Sequence, residues 1–133
     1  MDYTKLKAGY RISEKQIELS MEDVLLYREA TEDNSYEQIS DYLVPPTAIA
    51  ALALKGVIEE LAIPKGTIHV GQELEFFDTV LAGQKLTFFA NLLQNAVRGE
   101  SRFLSVELNV TNKLGATVMK GKSTILLPSK FLP

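Results

Sequence analysis

Two carboxylates and an amide stand next to one another at Glu32, Asp33 and Asn34, in the stretch EDNSYEQ. Carboxylate and amide side chains can both bind water, so this stretch is a candidate water-binding loop. Asp and Asn are also common turn formers, and the same three residues can serve as the turn that follows a helix. From the residues alone, both interpretations stay open.

His69 is the one imidazole of the chain, and cysteine is absent. A single histidine cannot build a multi-histidine metal site within one chain. Without cysteine, a disulfide framework, a Cys-based zinc site and a thiol nucleophile are excluded, so we expect no metal site. His69 is a candidate pocket group. We prefer the interpretation that it begins a strand and makes a local hydrogen bond, because a functional role would here be inferred without geometry.

The bulk properties indicate an ordinary globular protein. A length of 133 residues predicts one domain over residues 1–133. The net charge of −3, with Lys and Arg scattered along the chain, gives no basic surface for nucleic acid. The N-terminus lacks the apolar segment of a secretion signal, and no apolar run approaches the ~18 residues of a membrane span. We therefore expect a soluble cytoplasmic protein that binds neither nucleic acid nor membranes.

A short amphipathic helix is predicted to precede the acidic stretch and to end near Thr31. Ser20 can cap it, and two acidic residues follow in the first turn, where the helix dipole favours them. The apolar residues that we expect on its buried face are Val24, Leu25 and Tyr27.

A second helix is predicted over residues 46–61. Proline is tolerated at the first helical position, because its missing N–H would have no partner there in any case. The pre-proline restriction holds Val44 and Pro45 extended, which makes a sharp entry into the helix. Residues 48–54 contain no polar side chain. A helix that is apolar all round is buried on most sides, so this pattern predicts a core helix about 24 Å long.

Strand patterns fill the rest of the chain. Alternation is clearest in SRFLSVELNVTN, where Leu104, Val106, Leu108 and Val110 share one face. Three further stretches read as strands, and short connections predict antiparallel hairpins and therefore a four-stranded meander. An early strand over residues 10–19 would make five. The predicted class is α+β, with an antiparallel sheet curled around the long helix. The three further stretches are HVGQELEFFDTV, KLTFFANLLQ and ATVMKGKSTILL.

This order of elements resembles the hot-dog fold, and its details resemble the MaoC-like dehydratase and hydratase family, nearest to the small-subunit or N-terminal-half type. The resemblance covers nearly the whole chain. The motifs that carry it are YREATEDN, VPPT at residues 44–47, IHVGQELEF from Ile68, VLAGQKL from Val80 and TNKLGATV from Thr111.

The resemblance implies an activity in fatty acid metabolism. Members add water to enoyl thioesters of coenzyme A or acyl carrier protein, or remove it from 3-hydroxyacyl thioesters, without a cofactor. Two hot dogs pair side by side, with the acyl chain at their junction. An Asp-x-Asn-Pro-x-His loop supplies a carboxylate and an imidazole, which activate the water and handle the α-carbon proton. Backbone N–H groups at the start of the central helix hold the thioester oxygen.

The chain departs from the family loop motif. With Asn34 at the motif asparagine, Glu32 takes the place of the aspartate and Glu37 that of the histidine. With Asp33 at the aspartate, Gln38 takes the place of the histidine. Neither alignment supplies an imidazole, so the catalytic assignment of Glu32, Asp33 and Asn34 is that of a degenerate loop.

The chain also departs from the family at the helix start. Pro45 and Pro46 stand where active members tend to carry His-Gly. Proline has no N–H, so two potential donors to the thioester oxygen are absent, and that role passes to Thr47 and Ala48. The predicted substrate-binding residues are therefore Thr47 and Ala48, together with His69 as a candidate pocket group near the thioester.

Three hypotheses follow. The first is a hot-dog subunit of an acyl-thioester hydratase or dehydratase, completed by a partner chain that carries Asp and His. The second is a homodimeric hydratase or thioesterase that uses Glu32 or Asp33. The third is a non-catalytic acyl-thioester-binding or scaffold domain. Whether the chain is an enzyme by itself stays open. We expect an oligomer in every case, as homodimer or heterodimer, because an exposed sheet edge invites pairing.

Overall fold

The computed structural model describes residues 1–30 and 43–128. Within these residues the chain forms two α-helices and five β-strands, preceded by one short 3₁₀ turn at Tyr3–Lys5. In chain order the elements are β1 (Arg11–Glu18), α1 (Met21–Ala30), α2 (Pro46–Glu60), β2 (Ile68–Phe76), β3 (Lys85–Arg98), β4 (Ser101–Asn112) and β5 (Thr117–Leu127). The predicted α+β class and the predicted elements are confirmed.

The five strands form one antiparallel sheet in the order β1-β3-β4-β5-β2. The predicted meander is correct for β3, β4 and β5 and wrong for β2. Instead of pairing with β3, β2 pairs with β5, and β1 takes the place beside β3. Alternation in a sequence specifies which face a side chain occupies, but it does not specify the neighbouring strand. As a result β1 and β2 form the two opposite edges of the sheet.

The core lies between α2 and the inner face of the sheet. On β4 the predicted alternation is confirmed: Leu104, Val106, Leu108 and Val110 are all buried, beneath α2. Burying a large aliphatic side chain contributes about 1.5–3 kcal/mol, so this row of four is a main source of stability. Ser105, on the opposite face, is buried as well, and its hydroxyl lies 3.2 Å from that of Thr124 on β5.

The central helix begins and ends close to the predicted bounds, but its burial is less complete than predicted. Ala48, Ile49, Ala50 and Ala53 are buried, whereas Ala51 is exposed. A single sheet covers one side of a helix, so the opposite stripe stays at the surface. Among the described residues no helix is long and apolar enough to cross a membrane.

Helix α1 begins as predicted. The Ser20 hydroxyl accepts a hydrogen bond from the Asp23 N–H at 3.1 Å, and the Asp23 carboxylate accepts one from the Ser20 N–H at 3.2 Å. Its buried face differs from the predicted one. Val24 and Arg28 are both buried, because residues at i and i+4 share one helix face. Leu25 lies on another face and is exposed.

The N-terminal segment is fastened to the end of α2. The Tyr3 hydroxyl donates to the carbonyls of Leu61 and Ala62 at 3.0 and 2.9 Å. Asn95 on β3 donates to the Tyr3 carbonyl at 2.7 Å and accepts from the Arg102 guanidinium at 2.6 Å. The Tyr3 hydroxyl thus satisfies the carbonyl of Leu61, the C-cap residue that the end of α2 leaves without a helical partner.

Candidate functional site

The predicted catalytic residues Glu32, Asp33 and Asn34 lie outside the described residues, as do Glu37 and Gln38 of the alternative alignments. Their roles stay predictions. The described chain leaves α1 at Ala30 and resumes at Leu43, three residues before α2 begins. There Leu43 forms a β-bridge with Leu81, in the connection between β2 and β3.

The start of α2 offers few hydrogen-bond donors. Pro45 is the N-cap, with φ −59° and ψ 133°, and Pro46 is the first helical residue, so neither carries an N–H. The Ala48 N–H already donates to the Pro45 carbonyl at 3.0 Å. Among the described residues no acceptor is found for the Thr47 N–H. Of the two predicted binding residues, Thr47 is therefore the one whose backbone can hold an anionic oxygen.

A side-chain contact connects this helix start with α1. The Tyr27 hydroxyl donates to Thr47 Oγ1 at 2.9 Å. Thr47 is exposed and Tyr27 is half-buried. Tyr27 opens the motif YREATEDN, and Thr47 closes the motif VPPT, so the structure brings two separate motifs of the sequence into contact.

An open groove of about 400 Å³ adjoins the same helix start. It runs between α1, α2 and the end of β1, and its walls are mostly apolar. It lies on the β1 side of the sheet, and β2 is the opposite edge. The residues that line it are Ile17, Glu18, Leu19, Asp23, Val24, Tyr27, Ala48, Ala51, Leu52 and Lys55.

His69 lies at the start of β2, where the sequence predicts it. Its register partner is Ile125, whose side chain is buried, so His69 belongs to the inner face of the sheet. The imidazole is exposed, and among the described residues it has no hydrogen-bond partner. The expected local hydrogen bond is thus not found in this part of the chain.

A bulge sets the side on which His69 lies. The register of β2 with β5 shifts between His69 and Gly71, and Gln72 then pairs with the buried Ser123. Residues three apart in a regular strand lie on opposite faces, but the extra residue of the bulge places His69 and Gln72 on the same one. The inner face of β2 therefore presents an imidazole and an amide side by side.

The rest of that inner face is apolar and closely fitted to β5. Leu74 pairs with Gly121 and Phe76 with Met119. A β-carbon added to Gly121 would lie 2.7 Å from Leu74 Cδ2, so the leucine in its present position packs directly over the glycine. The sequence alone did not lead us to predict that Gln72 and Leu74 share one face of the sheet with His69. Part of this could have been predicted from the alternation in HVGQELEF, where Gln72, Leu74 and Phe76 alternate with Glu73 and Glu75 and so lie on one face.

Among residues 1–30 and 43–128, no group of three or more His, Asp or Glu side chains lies close enough together to hold a metal ion. The candidate groups that the described residues place near the two predicted positions are the His69 imidazole with the Gln72 amide on β2, and the first turn of α2.

Comparison with known proteins identifies the family. The model of the family described as FAS1-like, dehydratase domain region matches residues 7–121. No curated protein matches the sequence. The resemblance to dehydratases that the motifs predict is confirmed by this match, whereas the small-subunit type remains a prediction.

Solved structures with the same fold have low sequence identity. The (R)-hydratase from A. caviae involved in PHA biosynthesis has a TM-score of 0.76 at 19% identity, over 93% of this chain and 98% of that one. The MaoC-like dehydratase from Rhodospirillum rubrum has a TM-score of 0.74 at 14% identity, over 96% of both chains. The C-terminally truncated HadBC (3R-hydroxyacyl-ACP dehydratase) complex from Mycobacterium tuberculosis has a TM-score of 0.69 at 20% identity, over 90% and 96%. The chain thus has the hot-dog fold and belongs to the FAS1-like dehydratase domain family.

Proposed function

We propose that this protein is a subunit of an acyl-thioester hydratase or dehydratase, in which a second hot-dog chain supplies the catalytic Asp and His. The family match and the fold support the reaction class. The proposed substrates are trans-2-enoyl and 3-hydroxyacyl thioesters of coenzyme A or acyl carrier protein. The (R)-hydratase and the 3R-hydroxyacyl-ACP dehydratase among the structural neighbours support this substrate class.

The reaction defines which groups the complete site must contain. In hydration, a base takes one proton from water while the water oxygen bonds to the β-carbon of the enoyl thioester. Negative charge moves to the thioester oxygen, where N–H donors stabilise it. A proton then bonds to the α-carbon, and dehydration is the same path reversed. The reaction needs a carboxylate, an imidazole and N–H donors, and it needs neither a metal nor a redox cofactor.

The observation that carries the proposal is the shortage of donors at the start of α2. Pro45 and Pro46 provide no N–H, and the Ala48 N–H is engaged with the Pro45 carbonyl at 3.0 Å. A thioester oxygen placed at this helix would meet one backbone donor, that of Thr47. Removing one donor from such a site lowers kcat by about 10²–10³ in enzymes that depend on it. We infer that the reacting thioester binds at the helix start of the partner chain.

The partner chain also accounts for the missing imidazole. Neither alignment of residues 32–38 with the family loop provides a histidine, and His69 belongs to β2 at one edge of the sheet. In the proposed complex the partner carries the Asp-x-Asn-Pro-x-His loop. The exposed inner face of β2, with Gln72 and Phe76, forms part of the wall of the acyl site at the junction. The HadBC structure is a precedent for a dehydratase built as a complex.

The experiment is co-expression with a hot-dog protein encoded beside this one that carries an Asp-x-Asn-Pro-x-His loop. The proposal expects a heteromer that hydrates crotonyl-coenzyme A, and the loss of an enoyl thioester can be followed by absorbance. It expects no comparable rate from either chain alone. A fully active homodimer of this chain, at ordinary hydratase rates, would refute the partner requirement.

The same experiment separates the two alternatives. A homodimeric hydratase or thioesterase that uses Glu32 or Asp33 would turn over substrate alone, and replacing both carboxylates by alanine would abolish that turnover. A non-catalytic acyl-binding domain would bind the thioester tightly, without turnover, in every combination of subunits. The donor-poor start of α2 is compatible with this second alternative, so thioester binding should be measured alongside turnover.

A further inference from the structure

The β2 edge is the unprotected side of the sheet. All nine residues of β2 are exposed, and among residues 1–30 and 43–128 the strand pairs only with β5, so its other side meets no backbone partner from this part of the chain. Apolar side chains gather there, with Ile68 56% and Phe77 51% exposed. An exposed, apolar edge strand is a template for pairing with another strand, and soluble proteins rarely leave one uncovered. The β2 edge is therefore a docking surface for a further strand.

The opposite edge of the sheet does not have these properties. β1 contains buried and half-buried positions and carries both charge signs, with Arg11 bonded to Glu14 at 2.6 Å and Lys15 lying 3.5 Å from Glu60 on α2. Mixed charges on an edge strand discourage pairing. β2 carries Glu73 and Glu75 and contains no Lys or Arg. Its charge thus has one sign along the whole strand.

Both glutamates belong to the outer face of the sheet. Glu73 pairs in register with Lys122 and Glu75 with Lys120, and these lysines are exposed, whereas Met119 and Ser123, which flank them on β5, are buried. Lys122 also faces Glu107 on β4. The ammonium groups of Lys120 and Lys122 are therefore outnumbered by the three carboxylates opposite them. No ion pair joins Glu73 or Glu75 to a described lysine. The outer border of the β2 edge remains acidic.

A second copy of this chain fits this border poorly. Full-length antiparallel pairing of two β2 strands about a two-fold axis is centred on Gln72, and registers moved slightly along the strand are centred on Glu73 or Leu74. In all three, the Glu73 side chains of the two copies lie opposite or diagonally next to each other, and Glu75 follows nearby. Like charges directly opposite each other destabilise a strand pair. No basic residue of β2 is present to offset them.

We propose that the β2 edge selects a different chain of the same fold, whose edge strand carries Lys or Arg on its outer face, in preference to a second copy. This inference rests on the proposed function for the idea that the partner is a hot-dog chain, and it adds the charge by which that partner is recognised. The apolar side chains of β2 provide the contact area. Glu73 and Glu75 decide between partners, because like charges across an interface act chiefly against the wrong partner.

The test uses this chain as its own probe partner. The variant E73K/E75K is a hot-dog chain with a basic β2 edge, and it is mixed with an equal amount of wild-type chain that carries a mass tag. Native mass spectrometry at low salt is expected to show heterodimers well above the statistical half of all dimers. At about 500 mM salt the excess should shrink towards one half, because screening shortens the range of the charges. A statistical mixture at low salt, or no dimers in any mixture, would overturn the proposal.

The new charges of E73K/E75K face Lys120 and Lys122 and can destabilise the fold of that variant. An uncharged variant provides a second test that does not depend on it. E73Q/E75Q should lower the dissociation constant for self-association at least about tenfold relative to wild type, measured by analytical ultracentrifugation. E22Q/E100Q removes the same number of exposed carboxylates away from β2, and it should leave that constant unchanged. An equal effect of both pairs would contradict the proposal. Because only association is measured, the result is independent of whether the heteromer hydrates a thioester.

Discussion

The Tyr27 hydroxyl donates a hydrogen bond of 2.9 Å to Thr47 Oγ1, and so ties α1 to the first turn of the central helix. The bond is exposed, so it contributes less than a buried one. We expect Tyr27→Phe and Thr47→Val each to lower the free energy of unfolding by about 0.5–1 kcal/mol. The double variant should lose less than the sum of the two single losses, because both single changes remove the same bond. Urea unfolding checks this, and fully additive losses would show that the two groups do not interact.

The contact between Gly121 and Leu74 predicts a specific intolerance on β5. In Gly121→Ala the new β-carbon would lie 2.7 Å from Leu74 Cδ2 and 3.1 Å from the Glu73 carbonyl oxygen, so the leucine must turn away and the backbone at Glu73 must move slightly. We expect a loss of about 1–3 kcal/mol in the free energy of unfolding.

Gly71, on the neighbouring strand, is the matched control. A β-carbon there meets nothing within 4 Å, so Gly71→Ala should cost nothing or stabilise slightly. Leu74→Ala combined with Gly121→Ala should recover part of the loss. Equal effects of the two glycine variants would contradict the close packing of β2 on β5.

Tyr3 predicts a dependence of stability on alkaline pH. Burial raises the pKa of Tyr3 above its ordinary value of 10.0, so the folded state favours the neutral phenol, which donates to the Leu61 and Ala62 carbonyls. The stabilisation is complete below pH 10.0 and is lost as the pH rises towards the raised pKa of the folded state.

Tyr3→Phe tests this interpretation. At neutral pH the variant should be less stable by about 1–2 kcal/mol, because the buried Leu61 carbonyl and the partly buried bond to Ala62 lose their donor. Above pH 10.0 the difference should narrow, since phenylalanine does not ionise. Denaturant unfolding of both proteins across the alkaline range measures the difference. A constant difference would show that Tyr3 does not ionise differently in the folded and unfolded chains.

His69 should be dispensable for catalysis by the complete enzyme. It is exposed on β2 without a hydrogen-bond partner among the described residues, and the account assigns the catalytic imidazole to the partner chain. In the heteromer, His69→Ala should lower kcat by less than about threefold, whereas replacing the histidine of the partner's loop should lower it by about 10²–10⁴. Initial rates of crotonyl-coenzyme A hydration by the two variant heteromers measure this difference. A comparable loss in His69→Ala would make His69 a catalytic residue.

The sequence predicted the elements well and their arrangement in part. The two prolines and the apolar run after them mark α2 because both act locally on the backbone. The place of β2 beside β5 could not be read in this way, because pairing depends on contacts between residues far apart in the chain. The side on which His69 lies depends on a bulge, and a bulge shifts alternation by one residue without leaving a gap in the sequence.

The donors at the helix start illustrate a similar limit. The absence of an N–H at Pro45 and Pro46 follows from residue type alone. The Ala48 N–H donates to the Pro45 carbonyl because of the geometry of the turn, and residue type does not determine that geometry. The reverse holds for Glu73 and Glu75: their charges are plain in the sequence, but their position on an exposed sheet edge required the topology.

The central claim is that this chain needs a partner for catalysis. The most direct measurement is the rate of crotonyl-coenzyme A hydration by the purified chain alone, over concentrations that span its self-association, with the co-expressed heteromer as positive control. We expect the isolated chain to show no rate above the uncatalysed reaction at any concentration, while the heteromer is active. A hydration rate that rises in proportion to the concentration of the isolated chain, and that disappears in Glu32→Ala/Asp33→Ala, would show that the chain is catalytic without a partner.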